Sequence, residues 1–184
     1  MNKEVKNLEA LVLKHKSLYY QGRPEISDQD YDAIEEKLKK IDPNNKVLSL
    51  VGTSPSGGDK VAHKQKMLSL SKVYEVDELL SWIENRQVVS TFKIDGVSCS
   101  LVYKDGSLAI AKTRGDGSFG ENITAKARWI SDIQGTLDIK DSECEIRGEI
   151  YCTEENFFKL SKEMQGIGLE KPTSQRNIVA GLLG

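Results

Sequence analysis

The sequence has few cysteines, no long apolar run and no excess of positive charge, and each shortage argues against a class of function. Only Cys99, Cys144 and Cys152 occur in 184 residues. They form no Cys-x-x-Cys pair, which argues against structural zinc, and an odd number argues against a disulfide framework. All three lie in strand-like text and read as buried thiols. No stretch of about 18 apolar residues exists, so no membrane span is expected. No apolar stretch follows the charged opening Met1-Asn2-Lys3-Glu4-Val5-Lys6, so no signal peptide is expected either, and the expected compartment is the cytoplasm. Lysine and arginine total 26 against 28 acidic residues, a net charge of −2. A protein that grips duplex DNA alone usually carries a basic face, so DNA binding by this chain alone is expected to be weak.

What is present suffices for a globular protein: 38% of residues are apolar and 29% charged, enough for one core and a small accessory module. Val5, Leu8, Leu11, Val12, Leu18 and Tyr19 recur at helical spacing, predicting an amphipathic helix from Lys3 to Tyr20 that Gly22, Arg23 and Pro24 end. Ser27 reads as the N-cap of a second helix with Asp28 and Asp30 in its first turn. Its buried stripe would be Tyr31, Ile34, Leu38 and Ile41, and it would stop at Asp42-Pro43. The two form a helical hairpin over residues 1–42. Residues 43–66 carry Gly52, Pro55, Gly57 and Gly58 among polar neighbours and read as an extended linker. Asp77 is expected to cap a short helix with Leu79, Leu80 and Ile83 inward.

Residues 67–184 read as a second module. Val88-Val89-Ser90-Thr91-Phe92-Lys93-Ile94 runs apolar and β-branched into a lysine and breaks at Asp95-Gly96, predicting a strand that ends at Lys93 beside a cleft. An ordinary lysine has a pKa near 10.4, so roughly one in a thousand is an uncharged amine at neutral pH; partial burial and neighbouring cations would raise that fraction, and a phosphate-bound substrate would bring the amine in line with phosphorus. A hairpin turn is the plain alternative for Asp-Gly. Val97 to Tyr103, a Lys104-Asp105-Gly106-Ser107 turn and Leu108 to Ala111 read as a β-hairpin that delivers Arg114 near the same sheet edge. Gly115, Gly117 and Gly120 follow, with a helix expected from about Asn122 to Ser131, a plausible lip for a phosphate. Glu143 to Cys152 is a third strand carrying Glu149, and Thr153 caps a helix whose Phe157, Phe158 and Leu160 should pack on the sheet.

The order of these motifs carries more than any one of them. Lys93-Ile94-Asp95-Gly96, Thr113-Arg114-Gly115-Asp116-Gly117, Gly120-Glu121-Asn122-Ile123-Thr124, Arg147-Gly148-Glu149, Lys171-Pro172 and Arg176-Asn177 together resemble the nucleotidyltransferase domain of NAD-dependent DNA ligases. Tyr19-Tyr20, then Pro24-Glu25-Ile26-Ser27-Asp28 and Tyr31-Asp32, resemble the helical module that only this ligase class places in front.

The resemblance implies an α+β chain: a helical hairpin for nicotinamide mononucleotide (NMN), then a mostly antiparallel, ATP-grasp-like nucleotidyltransferase core. It implies that Lys93 attacks the α-phosphate of NAD, with Arg114 on the phosphates, Glu149 at the ribose and magnesium as cofactor. Ser69, Leu70 and Thr91 fall at the adenine site and Ile94 among the cofactor-binding residues; Thr91 stands where the family commonly has a glutamate. Tyr19, Tyr20, Asp28, Tyr31 and Asp32 offer aromatic faces and carboxylates to the cationic ring, and which tyrosine stacks is left open. Without the resemblance they read as core residues and caps. Arg176 is expected to touch DNA. Expected partners are NAD and nicked duplex DNA, in a monomer without membrane contact. Two lysine-bearing strand motifs, an OB domain, a zinc module and helix-hairpin-helix repeats found in the family are not among these 184 residues, so the core is expected to be incomplete at its C-terminus. On that expectation the isolated chain would not seal nicks, would adenylate itself poorly or not at all, and would expose Ile178, Val179, Leu182 and Leu183. The rival reading is a non-catalytic NAD- or nick-binding remnant.

Overall fold

The computed structural model describes residues 3–20, 24–50, 59–140 and 142–184. Helix α1 spans Lys3–Tyr20 and α2 Asp28–Ile41. The Ser27 side chain accepts from the Asp30 N–H, and Asp28 and Asp30 meet the positive end of α2, which is why the helix starts there. Val5, Leu8 and Val12 of α1 and Leu38 of α2 form a small apolar cluster with Tyr31, Ile34, Val47 and Leu48 at its edge. Ile41, expected in that stripe, is exposed at the last turn of α2. Gly22, Arg23, Gly52, Pro55, Gly57 and Gly58 lie outside the described residues. Within residues 43–66, Lys46–Ser49 forms a 3₁₀ turn capped by Asn45, and Lys60–Ala62 forms strand β1.

Helix α3 spans Val76–Ile83 and begins at Glu75, so Asp77 sits in its first turn rather than at its cap; Leu79 and Leu80 are exposed, not inward. Two strands, β2 (Val97–Lys104) and β3 (Ser107–Thr113), form the expected hairpin, with Asp105 and Gly106 both at positive φ in a two-residue turn. β4 (Phe119–Glu121) pairs antiparallel with β1. β5 (Glu143–Ile150) pairs antiparallel with β2, giving the sheet order β3-β2-β5. The architecture is α+β with small antiparallel sheets.

The alternation of β2 sorts the two faces of this sheet. Cys99, Leu101 and Tyr103 join Leu108, Ala111, Ile123, Ala127, Val179 and Leu183 in the larger apolar cluster. Ser98 and Ser100 turn the other way, where Ser100 donates to Glu145 at 2.7 Å. Helix α4 is only Thr124–Ala127: Trp129, Ile130 and Ile133 bond carbonyls three residues back, so the expected longer helix tightens into successive turns. Thr153 caps α5 (Glu154–Gly166) as expected, but Phe158 is exposed and meets Phe157 edge-on rather than the sheet.

The apolar C-terminal stretch forms α6 (Gln175–Leu183), capped by Ser174. It buries Ile178, Val179 and Leu183, and Val179 and Leu183 belong to the sheet's cluster; only Leu182 of the four residues expected at the surface is exposed. Among the cysteines Cys99 is buried, whereas Cys144 and Cys152 are half-buried.

Candidate functional site

Lys93 lies in an extended segment that joins no strand ladder, contrary to the strand expected there. A β-branched run becomes a strand only where a neighbour supplies hydrogen bonds, and among the described residues none lies beside it. Val89 is 90% and Phe92 95% exposed, and Lys93 is exposed too, so the expected partial burial is not present. What fixes the lysine is the turn after it. The Gly96 N–H donates to Glu149 Oε1 at 3.1 Å, and Ser98 Oγ donates to Glu149 Oε2 at 2.7 Å. A Cβ on Gly96 would lie 2.2 Å from the Ile150 carbonyl oxygen, so the motif's glycine is required by the close approach of β5.

Arg114 is anchored by its backbone. Its N–H donates to the Ser98 carbonyl at 2.9 Å. The His63 ring faces the carbonyls of Thr113 and Arg114 at 3.1 and 3.2 Å; both are acceptors, so Nε2 carries the proton. Gly115, at φ 56°, then reverses the chain, and Asp116 accepts from the N–H groups of Ser118 and Phe119. The same loop receives the segment before the adenine motif: the Met67 N–H donates to the Gly117 carbonyl, while Arg147 donates to the Lys66 and Gln65 carbonyls. Ser69 and Leu70 emerge from this anchor exposed.

These pieces border one cleft of about 1320 Å³. Its lining includes Ser69, Leu70, Thr91, Lys93, Ile94, Arg114, Glu149 and Arg176 from the core and Tyr19, Asp28, Tyr31 and Asp32 from the helix pair. Tyr20 ends α1, with its side chain outside the described residues. Every other residue expected at the site therefore faces the same space, which exceeds the usual size of a small-ligand pocket and suits a dinucleotide. The polar face of the sheet forms part of the floor and α1 and α2 part of the wall.

Polar contacts join wall to floor. Asp32 pairs with Lys72 at 2.6 Å and accepts from Tyr74 Oη at 3.1 Å. The Arg176 guanidinium stacks over the Tyr19 ring, 4.7 Å from its centroid, and pairs with Asp95 at 3.2 Å. Lys16 donates to the Leu50 carbonyl at 2.7 Å and faces Glu35 at 3.8 Å. Burial lowers the Lys16 pKa, Glu35 opposes it, and the charge of Arg114 lowers it further. Lys16, Lys72 and Tyr74 were not expected at the site, nor was His63 expected against the Arg114 backbone. Lys16 alone had a usable signal, since it precedes Tyr19 and Tyr20 by about one helical turn.

A family model of the NAD-dependent DNA ligase adenylation domain matches residues 56–184. The chain belongs to this family. It is 37% identical to the DNA ligase of Corynebacterium jeikeium over 94% of its own length and 27% of that protein. It is 39% identical to the DNA ligase of Borrelia garinii over 100% of its length and 29% of the relative, and 38% identical to a Rhodopseudomonas palustris DNA ligase over 92% and 27%. The chain thus spans less than a third of the length of the curated relatives it matches. The adenylation-domain match includes Lys93, Arg114, Glu149 and Arg176; α1 and α2 precede its start.

No helix among the described residues is long and apolar enough to cross a membrane. Among the described residues no group of three or more histidine, cysteine, aspartate or glutamate side chains could hold a metal ion. Glu149 accepts from Gly96 and Ser98, and Asp95 accepts from Arg176. A magnesium ion held wholly by protein side chains has no ligand set among the described residues.

Proposed function

We propose that the cleft holds NAD and that Lys93 is its nucleophile, making this chain the adenylating part of a ligase that seals nicked duplex DNA. The observation that supports the reading best is the convergence of the helix-pair residues and the core motif residues on one space. On this reading residues 1–42 serve the NMN half and residues 67–184, an ATP-grasp-like nucleotidyltransferase core, serve the adenylate half, with 43–66 between them. Ser69, Leu70, Thr91 and Ile94 meet adenine, Glu149 meets the ribose through the lone pairs its two donors leave free, and Arg176 turns to DNA once the nick is bound.

The step balances without a co-reactant. The Lys93 amine attacks the α-phosphorus of NAD, a P–N bond forms, and the bond from that phosphorus to the bridging oxygen breaks. NMN leaves with the electron pair, and the amine's excess proton passes to water. Negative charge grows on the α-phosphate oxygens and the departing phosphate, where Arg114 stands as a fixed cation; one such preorganised contact contributes about 3 kcal/mol, or roughly a hundredfold in rate. Magnesium, which the family implies, fits here only as a companion of the substrate phosphates, as is usual for that ion, and no step above depends on it. The AMP is then handed to the 5′-phosphate of a nick, and the 3′-hydroxyl displaces it.

The division of labour is tested by replacing Tyr31 and Asp32 together with alanine. Adenylation from NAD should fall at least tenfold while joining of DNA that already carries a 5′-adenylate is retained. Equal loss of both steps would make the helix pair a structural element.

A further inference from the structure

A nicotinamide ring bound in NAD or NMN is a pyridinium, and its positive charge seeks an aromatic face and a carboxylate. In this structure both kinds of place are taken by cations of the chain itself. Lys72 Nζ lies 2.6 Å from Asp32 Oδ1, and Tyr74 donates to Oδ2 of the same carboxylate. Arg176 covers a face of Tyr19 with its centre 4.7 Å from the ring centroid. Both cations come from the core, Lys72 from the segment after Leu70 and Arg176 from α6, and both partners come from the helix pair. The contacts therefore join the helix pair to the core.

Resting on the assignment of the helix pair to the NMN half, we propose that Lys72 and Arg176 are stand-ins for the pyridinium: they pair with Asp32 and Tyr19 and must yield when the ring arrives. Lys72 is then a specificity-determining residue whose ammonium competes with the ring for one carboxylate. The competition has a direction. It weakens retention of any cationic ring, and so favours departure of NMN once its bond to the α-phosphate is cut. Lys72 and Asp32 are both partly exposed, with side-chain exposures of 54% and 30%, so the pair resembles an exposed salt bridge. Such pairs contribute about 0.2–1 kcal/mol, which corresponds to roughly a 1.4- to fivefold change in a binding constant.

The probe is NMN against its reduced form, which has the same ribose and phosphate but a neutral dihydropyridine ring. Calorimetric titration of the 184-residue chain at low ionic strength gives the ratio of the two affinities and so cancels any effect of Lys72 on the phosphate. Lys72→Met should shift that ratio toward NMN by about 1.4-fold to fivefold, and Lys72→Arg should leave it at the wild-type value. An unchanged or reversed ratio in Lys72→Met, or an equal gain in Lys72→Arg, overturns the proposal. Asp32→Asn tests the underlying assignment separately. If it leaves the ratio unchanged, Asp32 does not meet the ring at all; if it moves the ratio away from NMN while Lys72→Met does nothing, only the competition fails.

Discussion

Glu149 on β5 holds the backbone of Gly96, three residues beyond Lys93, by a hydrogen bond of 3.1 Å, so the turn after Lys93 hangs from the neighbouring strand β5. The second carboxylate oxygen takes the Ser98 hydroxyl at 2.7 Å, and the register Ser98↔Glu149 keeps both donors in reach. One side chain thereby ties the turn after Lys93 to the start of β2.

Glu149→Ala should leave the Gly96 N–H and the Ser98 hydroxyl without their acceptor. A lost acceptor for partly buried donors costs on the order of 1–3 kcal/mol. Urea unfolding should record a loss of that size, and Glu149→Gln, which keeps one acceptor oxygen, should lose less. Equal stability in all three proteins would mean that water satisfies the turn.

Gly96→Ala should be costlier, because its new Cβ would sit 2.2 Å from a backbone carbonyl that cannot swing away. Either β5 shifts or the Lys93 turn does, and overpacking of this kind costs about 1–3 kcal/mol or more. Thermal unfolding checks it; a melting temperature unchanged within a degree would contradict the packing described.

His63 predicts a pH response. Burial, then the charge of Lys112, lowers its imidazole pKa below the ordinary 6.5. The folded chain then binds fewer protons than the unfolded chain in that range, so His63 contributes fully above pH 6.5 and its contribution falls as pH drops below 6.5. The loss levels off once the folded imidazole also protonates. Glu143 and Glu145, whose pKa values lie below the ordinary 4.5, lose their contributions at lower pH, outside this window. Urea midpoints measured from pH 7 down to 5 should decline in the wild type and decline less in His63→Gln, whose amide can still donate to the Thr113 and Arg114 carbonyls. Parallel declines would remove His63 from the account.

The two N-terminal helices, the β2–β3 hairpin and the Thr153 cap were legible because each is decided within a few residues: Ser27 bonds the N–H three positions on, and Asp105-Gly106 supplies two positive φ angles in sequence. The 88–93 segment was misread for the converse reason, since pairing depends on a neighbour that local sequence does not name. The C-terminal apolar residues were misread likewise; Val179 and Leu183 find their cover on a sheet formed some eighty residues earlier. At the site, residue types for phosphate and ring chemistry could be picked from motifs, but His63 under Arg114 and Lys72 on Asp32 are contacts between segments about 50 and 40 residues apart. No local period encodes those.

The central claim is that Lys93 carries the AMP. The most direct measurement is peptide mapping by mass spectrometry after the 184-residue chain is incubated with NAD labelled in its adenylate half and magnesium. The account predicts that the AMP the chain gains, poor as the yield is expected to be, all lies on the peptide containing Lys93, and that Lys93→Ala carries none. AMP on another lysine, or undiminished label in Lys93→Ala, would contradict it.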